Sequence, residues 1–151
     1  LFVERSLIIL KPDAVQRGLV STILGRLEQR GLRFAGLKMM HVTQELARKH
    51  YAEHEGKPFF AGLIEYITSG PVVVIVVTGK NVIETVRTMV GATNPVKAAP
   101  GTIRGDFGLE IGRNLIHASD SPESGERETS IFFASNELVT MERSVDRWIY
   151  E

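Results

Sequence analysis

The sequence contains no cysteine in 151 residues, which excludes a disulfide frame and any thiolate metal site. Charge of one sign is also lacking, because 18 basic and 18 acidic side chains cancel. No bulk attraction to nucleic acid or to an acidic membrane face follows, so nucleic acid is not expected as a main partner. Long apolar runs are missing too. The longest, VVVIVV from Val72 to Val77, falls far short of the ~20 residues that cross a bilayer. The opening LFVERSLIIL mixes charged and apolar residues and has no small-residue cleavage pattern, unlike a secretory signal. These absences predict a cytoplasmic protein with no membrane partner.

What is present suits one domain over residues 1–151, with enough chain to bury a core and 43% hydrophobic residues to fill it. SLIILK (Ser6 to Lys11), closed by PD, has the pattern of a buried strand ending in a loop. Val20, Ile23, Leu24 and Leu27 recur at helical spacing before Gly31, a natural stop. LRFAGLKMMHV predicts a second strand. Thr43 then opens a polar helix to about His54, and a second helix follows from Phe59 to Thr68. SGPVVVIVVTG is the third strand. Asn81 and Glu84 have the spacing of a capping box for a helix to Val90. Seven Gly and Pro residues between 91 and 113 predict an ordered irregular loop, of a length more often functional than idle. NLIHA is the fourth strand, and Ser121-Pro122-Glu123 starts a helix to about Phe133. Strand-helix-strand occurs twice. The doubling predicts an α/β (α+β) ferredoxin-like sandwich, a four-stranded, mostly antiparallel sheet covered by helices.

His117 sits where the fourth strand runs out into an acidic, serine-rich segment. An imidazole is largely the free base at neutral pH and makes a good nucleophile once its second nitrogen is held. Glu128 falls between Ile131 and Phe132 on the helical wheel, on the inward face, where a lone carboxylate is costly. Its partner is either His117 or an arginine such as Arg127 or Arg113; the pattern leaves both open. Lys11, Arg87 and Arg104 are three separated cations that, joined to a histidine, suit a phosphoryl group. Each alone reads better as a solvated side chain. Phe59 lies at the edge of its helix's apolar stripe and could stack on a nucleobase, or could simply fix the helix entry after Pro58. Tyr51 could offer its hydroxyl to the same cleft. His50 and His54 have zinc-ligand spacing without a third ligand, and read as solvated helix histidines. TGKN lacks the earlier glycine and the hydroxyl residue of a phosphate-binding P-loop.

KPDAVQRGL, HYAEHEGKPFF, GATNP, PGTIRGDFG and RNLIHASDSPESGERE resemble nucleoside diphosphate kinases, and the likeness runs from about Arg5 to the terminal WIYE. The resemblance implies ping-pong exchange of a γ-phosphoryl group through a phosphohistidine on His117, with Mg²⁺ as the cofactor bridging the nucleotide phosphates. It implies that Lys11, Arg87, Thr93 and Arg104 hold the phosphates, that Asn114 and Lys11 contact the sugar, and that Tyr51 sits beside the phosphorylated ring. Phe59 and Ile111 would sandwich any base, Leu63 would line the cleft mouth, and Glu128 with Ser119 would orient His117. Pro95 would belong to a subunit-contact loop, in a homo-oligomer expected to be a hexamer over a tetramer. Ala118 and Ala14 stand where the family usually has glycine. An alanine at 118 would be strained if that position required positive φ. The segment VVTGK also departs from the family pattern, at a place expected to touch packing. A non-catalytic nucleotide-binding module on the same fold is the competing reading.

Overall fold

The computed structural model describes residues 3–151. In chain order its strands and α-helices are β1 (Glu4–Leu10), α1 (Pro12–Gln16), α2 (Val20–Gln29), β2 (Arg33–His41), α3 (Gln44–His50), α4 (Phe60–Ile67), β3 (Pro71–Gly79), α5 (Val82–Val90), α6 (Ile103–Phe107), β4 (Ile116–Ala118), α7 (Pro122–Phe132) and α8 (Asp146–Ile149). The strands form one sheet in the order β2-β3-β1-β4, and every neighbouring pair is antiparallel. β3 fills the gap between β1 and β2, while β1 fills the gap between β3 and β4. Two split strand-helix-strand units interleave, which is the ferredoxin-like sandwich.

The central strands are apolar throughout because helices cover both faces of the sheet. Ile8 and Leu10 of β1 pack with Ile23 and Leu27 of α2 and with Val82, Val86 and Val90 of α5. Leu7 and Ile9 point the other way, into a cluster with Ala47 of α3, Ile64 and Ile67 of α4, and Phe132 of α7. Strand alternation thus separates two cores, one on each side of the sheet.

Of the caps and stops expected at Thr43, Ser121, Gly31 and Asn81, all but the last form. Thr43 Oγ1 accepts from the Leu46 amide at 3.1 Å, Ser121 Oγ accepts from the Ser124 amide at 3.1 Å, and Gly31 leaves α2 with φ +99°. The expected capping box at Asn81 does not form. Asn81 is left-handed, at φ 58°, and its side chain caps nothing. The Ile83 amide instead donates to Glu4 Oε1 at 3.2 Å, so a carboxylate from the first strand supplies the cap. A tertiary partner replaced the local one.

Other boundaries differ modestly. α3 stops at His50, and residues 52–54 form a separate 3-10 turn. Pro12 opens a one-turn helix where a loop was expected. The 91–113 segment is ordered, as expected, but holds a 3-10 turn at Pro95–Lys97 and the helix α6. Pro95 is buried against Gly108, and Val96 is the residue presented outward, 77% exposed.

Gly105 lets α6 form. A Cβ there would collide with the Ala99 carbonyl oxygen and with Thr102 Oγ1, which already accepts from the Gly105 amide at 3.0 Å. Gly105→Ala is expected to lower stability by ~3 kcal/mol, the upper range for overpacking, and to displace the neighbouring Arg104. Chemical denaturation would show it; an unchanged midpoint would mean that the loop yields freely.

Candidate active site

A cleft of about 570 Å³ opens at one end of the sheet, lined by residues from α3, α4, α5, α6, β4 and α7 and from the segments that join them. His117 reaches it because of strand alternation. Ile116 and Ala118 are buried toward α2 and α5, so the residue between them faces the α3/α7 side, opposite Ile9 of β1. Its side chain keeps 21% of its surface exposed.

The open question about Glu128 is answered by distance. His117 Nε2 lies 2.9 Å from Glu128 Oε1, and the same oxygen accepts from Ser119 Oγ at 2.7 Å. Arg127 is only a distant second, 3.7 Å from Oε2 and half exposed. Arg113 is elsewhere, its guanidinium 4.7 Å from the centre of the Tyr66 ring. An ionised carboxylate only accepts, so Nε2 carries the ring proton and Nδ1 keeps a free lone pair. Ser119 does not line the cleft. It stands behind, with its amide bonded to the Leu7 carbonyl at 3.1 Å and its hydroxyl accepting from the Leu7 amide at 2.9 Å.

The cations converge from three directions. Lys11 stands between β1 and α1, at the N-cap position of the helix; it is buried, and its Nζ donates to Asn114 Oδ1 at 2.8 Å. Asn114 in turn donates to the Thr93 carbonyl at 3.3 Å. Arg104, also buried, donates to the carbonyls of Asn114 (3.2 Å), Gly91 (3.2 Å) and Ile116 (2.6 Å). Arg87, exposed on α5, reaches the Ala118 carbonyl at 3.3 Å. Burial, helped by Arg87, lowers the Arg104 pKa to about 10, so it remains charged at neutral pH.

Burial, reinforced by Arg104 and opposed by Asp13, pulls Lys11 down to about 8. Its charge is therefore lost as pH rises through that value, whereas an unfolded lysine holds its proton to higher pH. Between the two pKa values the unfolded chain binds the extra proton, so this group makes stability rise with pH while phosphate attraction falls. Affinity for a nucleoside diphosphate is expected to decline from about pH 8 upward. Lys11→Gln should abolish that limb in a calorimetric titration; a limb that persists in the variant would assign it to another group.

Phe59 and Ile111 face the cleft mouth 51% and 58% exposed, and Leu63, Tyr51 and Thr93 complete the predicted set along its walls. Every site residue expected from the sequence lines this cleft except Ser119, which sits behind Glu128. His50 corrects an expectation. It is not a solvated histidine; it is 4% exposed and packs against His117. Its one signal in sequence was its position three residues after Ala47, on the inward face of α3. Glu53 and Asp120 also line the cleft; both fall in segments that carry the family likeness, where no role was assigned to them.

Ala118 is not strained, because it lies in β4 in extended conformation. The strain falls on Leu115, at φ 74°, fully buried and held by its amide's 3.1 Å bond to Asp13 Oδ2. Ala14 is buried in α1. Near the C-terminus a second hollow, of about 670 Å³, is lined by Arg33, Lys80, Thr85 and Tyr150 but by no histidine. The chemistry converges on the first cleft alone.

A sheet covered by helices on both faces, with a tethered histidine that shares its cleft with three cations, suits a phosphotransferase. The comparisons make it specific. A family model described as nucleoside diphosphate kinase matches residues 4–138. The nucleoside diphosphate kinase of Roseiflexus sp. strain RS-1 is 75% identical over 148 residues, 98% of this chain and 99% of that one. The enzyme of Archaeoglobus fulgidus is 60% identical over 98% of both chains. Among solved structures, the Halobacterium salinarum nucleoside diphosphate kinase in complex with CDP superposes with a TM-score of 0.97, at 50% identity, covering 99% of this chain and 100% of that one.

The chain belongs to the nucleoside diphosphate kinase family. Its reaction is transfer of the γ-phosphoryl group from a nucleoside triphosphate to a nucleoside diphosphate, in two half-reactions through a phosphohistidine. Among the described residues no helix is long and apolar enough to cross a membrane.

Proposed function

We propose that His117 is the residue phosphorylated between the two half-reactions, with Nδ1 as the attacking atom. One observation carries this reading: Glu128 accepts a hydrogen bond from Nε2–H at 2.9 Å, which leaves Nδ1 as the free lone pair on a ring that lines the cationic cleft. Attack forms an Nδ1–P bond as the bond from phosphorus to the leaving diphosphate oxygen breaks. The ring then becomes electron-poor, and Glu128, supported by the Ser119 hydroxyl, offsets the positive charge that develops on it. In the second half-reaction a terminal phosphate oxygen of the acceptor diphosphate attacks the same phosphorus, and the imidazole departs. No general base is required, since the nucleophile carries no proton to lose.

Lys11, Arg87 and Arg104 neutralise the phosphates, with Thr93 at the same wall and Tyr51, its pKa raised to about 12 by burial and by Glu128, donating its hydroxyl beside the phosphorylated ring. Asn114, held by Lys11, is the sugar contact. Phe59 and Ile111 offer apolar faces to the base, which supports broad base tolerance.

The cleft's donor set fits Mg²⁺ that travels on the nucleotide. Of its carboxylates, Glu128 is committed to His117 and Ser119, leaving only Glu53 and Asp120, too few oxygens for a resident cage. Glu53 and Asp120 are the carboxylates that would be available to steady the ion. When bound, the cation supplies charge neutralisation on the transferring phosphates.

The assembly is read as a homohexamer, favoured over a tetramer. Half-exposed Leu37 and Met39 on the edge strand β2, and Val96 beside Pro95, give it apolar contact surface; sedimentation equilibrium would measure its mass. The absence of cysteine fits the cytoplasm as its compartment.

The deciding experiment is incubation with γ-labelled Mg-ATP. It should leave acid-labile, alkali-stable phosphate on the protein, which ADP or any other nucleoside diphosphate then removes. Exchange that requires both nucleotides together, with no isolable phosphoprotein, would rule the reading out.

A further inference from the structure

Glu128 holds His117 through one atom. That hydrogen bond selects the tautomer, but a ring tethered at a single nitrogen can still rock about the tether. Something must fix its plane. The element in position to do so is the C-terminal end of α3, where His50 is buried against the nucleophile.

We propose that His50 is a positioning residue for His117: seated between the rings of Tyr51 and Phe132, it meets the His117 ring edge-on and sets the plane in which Nδ1 is presented to phosphorus. The centroid of His50 lies 4.5 Å from that of His117 at an interplanar angle of 86°. Behind it, Phe132 is 5.3 Å away at 76° and Tyr51 is 4.6 Å away at 58°. These distances match the edge-to-face range in which aromatic pairs attract. His50 therefore has a wall on its far side and the nucleophile on its near side.

Hydrogen bonding does not hold His50 in place. Both its ring nitrogens are buried without a partner. An unpartnered buried imidazole costs stability, and such exceptions call for a local explanation. Contact between rings provides one here. Burial, then His117, Lys11, Arg127 and His54, hold the His50 pKa well below the ordinary histidine value. The ring is thus uncharged at neutral pH and adds no repulsion to the site. The divalent-ion alternative is weaker, although His50, His117 and Glu128 offer ligand atoms within 4.8 Å of one another. The carboxylate oxygen already accepts from both His117 and Ser119.

This inference rests on His117 being the phosphorylated residue, so the test must separate the two. Single-turnover phosphorylation by saturating Mg-ATP would be timed for His50→Ala, His50→Gln and His50→Phe, with ADP affinity measured on each and His117→Asn as control. His50→Ala and His50→Gln should slow phosphorylation roughly 10- to 100-fold, the scale of misplacing a reacting atom by up to an ångström. ADP affinity should stay within twofold, because His50 does not belong to the cationic wall. His50→Phe, which keeps a ring and loses the nitrogens, should recover most of the rate. A merely structural role would show as a loss of thermal stability with the rate per folded molecule intact. That result, or a rate within twofold for His50→Gln, or recovery by Gln but not by Phe, overturns the proposal. Should His50→Ala fail to fold, the Gln and Phe pair decides. Label persisting in His117→Asn would instead sink the assignment of the nucleophile.

Discussion

His117→Asn is expected to leave no phosphate on the protein and to lower nucleotide exchange by on the order of 10⁶-fold, the scale of removing a covalent nucleophile. Asparagine matches much of the imidazole's volume and can still donate its amide to Glu128, so the fold should survive. What disappears is the lone pair at Nδ1. ADP affinity should be nearly unchanged, because Lys11, Arg87 and Arg104 do not depend on the ring for their own contacts. The measurement pairs label incorporation with calorimetric ADP binding. If label remained while ADP bound normally, another side chain would be the acceptor. If ADP binding failed as well, His117 would be a structural support of the cleft instead of its nucleophile.

Arg104→Ala should produce the second largest effect, and on stability as well as rate. Its guanidinium joins two backbone segments, through the carbonyl of Gly91 on one and those of Asn114 and Ile116 on the other. Of five N–H donors, three are engaged, which leaves two to meet a phosphate. Removal would strand three carbonyls and take a charge from the site. A loss of ~3 kcal/mol of stability is expected, in the range for a hydrogen bond to a charged group whose partners stay buried. kcat/KM should fall ~10²- to 10³-fold, as when a preorganised donor to the developing charge is lost. Arg104→Lys is the discriminating variant. A single ammonium cannot span three carbonyls and still face the cleft, so it should recover less than tenfold. Steady-state kinetics beside thermal unfolding would read both, and a lysine variant within threefold of the unsubstituted enzyme would reject the fork argument.

How much of this was legible in the chain varies with the range of the interaction that decides it. The period-2 and period-3.6 patterns of β1, α2, β3, α5 and α7 give the sandwich, because both cores are built from residues whose alternation is local. Thr43 and Ser121 cap as read, since their partners are three residues away. Asn81 fails as a cap for the opposite reason: Glu4, 79 residues from Ile83, competes for that amide and no local pattern reports it. His50 was misjudged in the same way. Its polarity suggests solvent, and only the docking of α3 against β4 and α7 buries it beside the nucleophile.

The sequence by itself determined the strand and helix order, the apolar faces and, through the segments that carry the family likeness, the set of residues around the cleft. Between Arg127, Arg113 and His117 the residue pattern left the partner of Glu128 open and only the family likeness pointed to His117; tertiary structure supplied the distance, and with it which imidazole nitrogen is free. It also made Arg104, a cation whose pattern alone suggested solvent, a buried tie between the Gly91 turn and the 114–116 segment. The physical reason is common to these cases. Periodicity encodes which side of an element is buried, whereas a hydrogen bond between residues of different elements depends on distances that exist only after the elements pack.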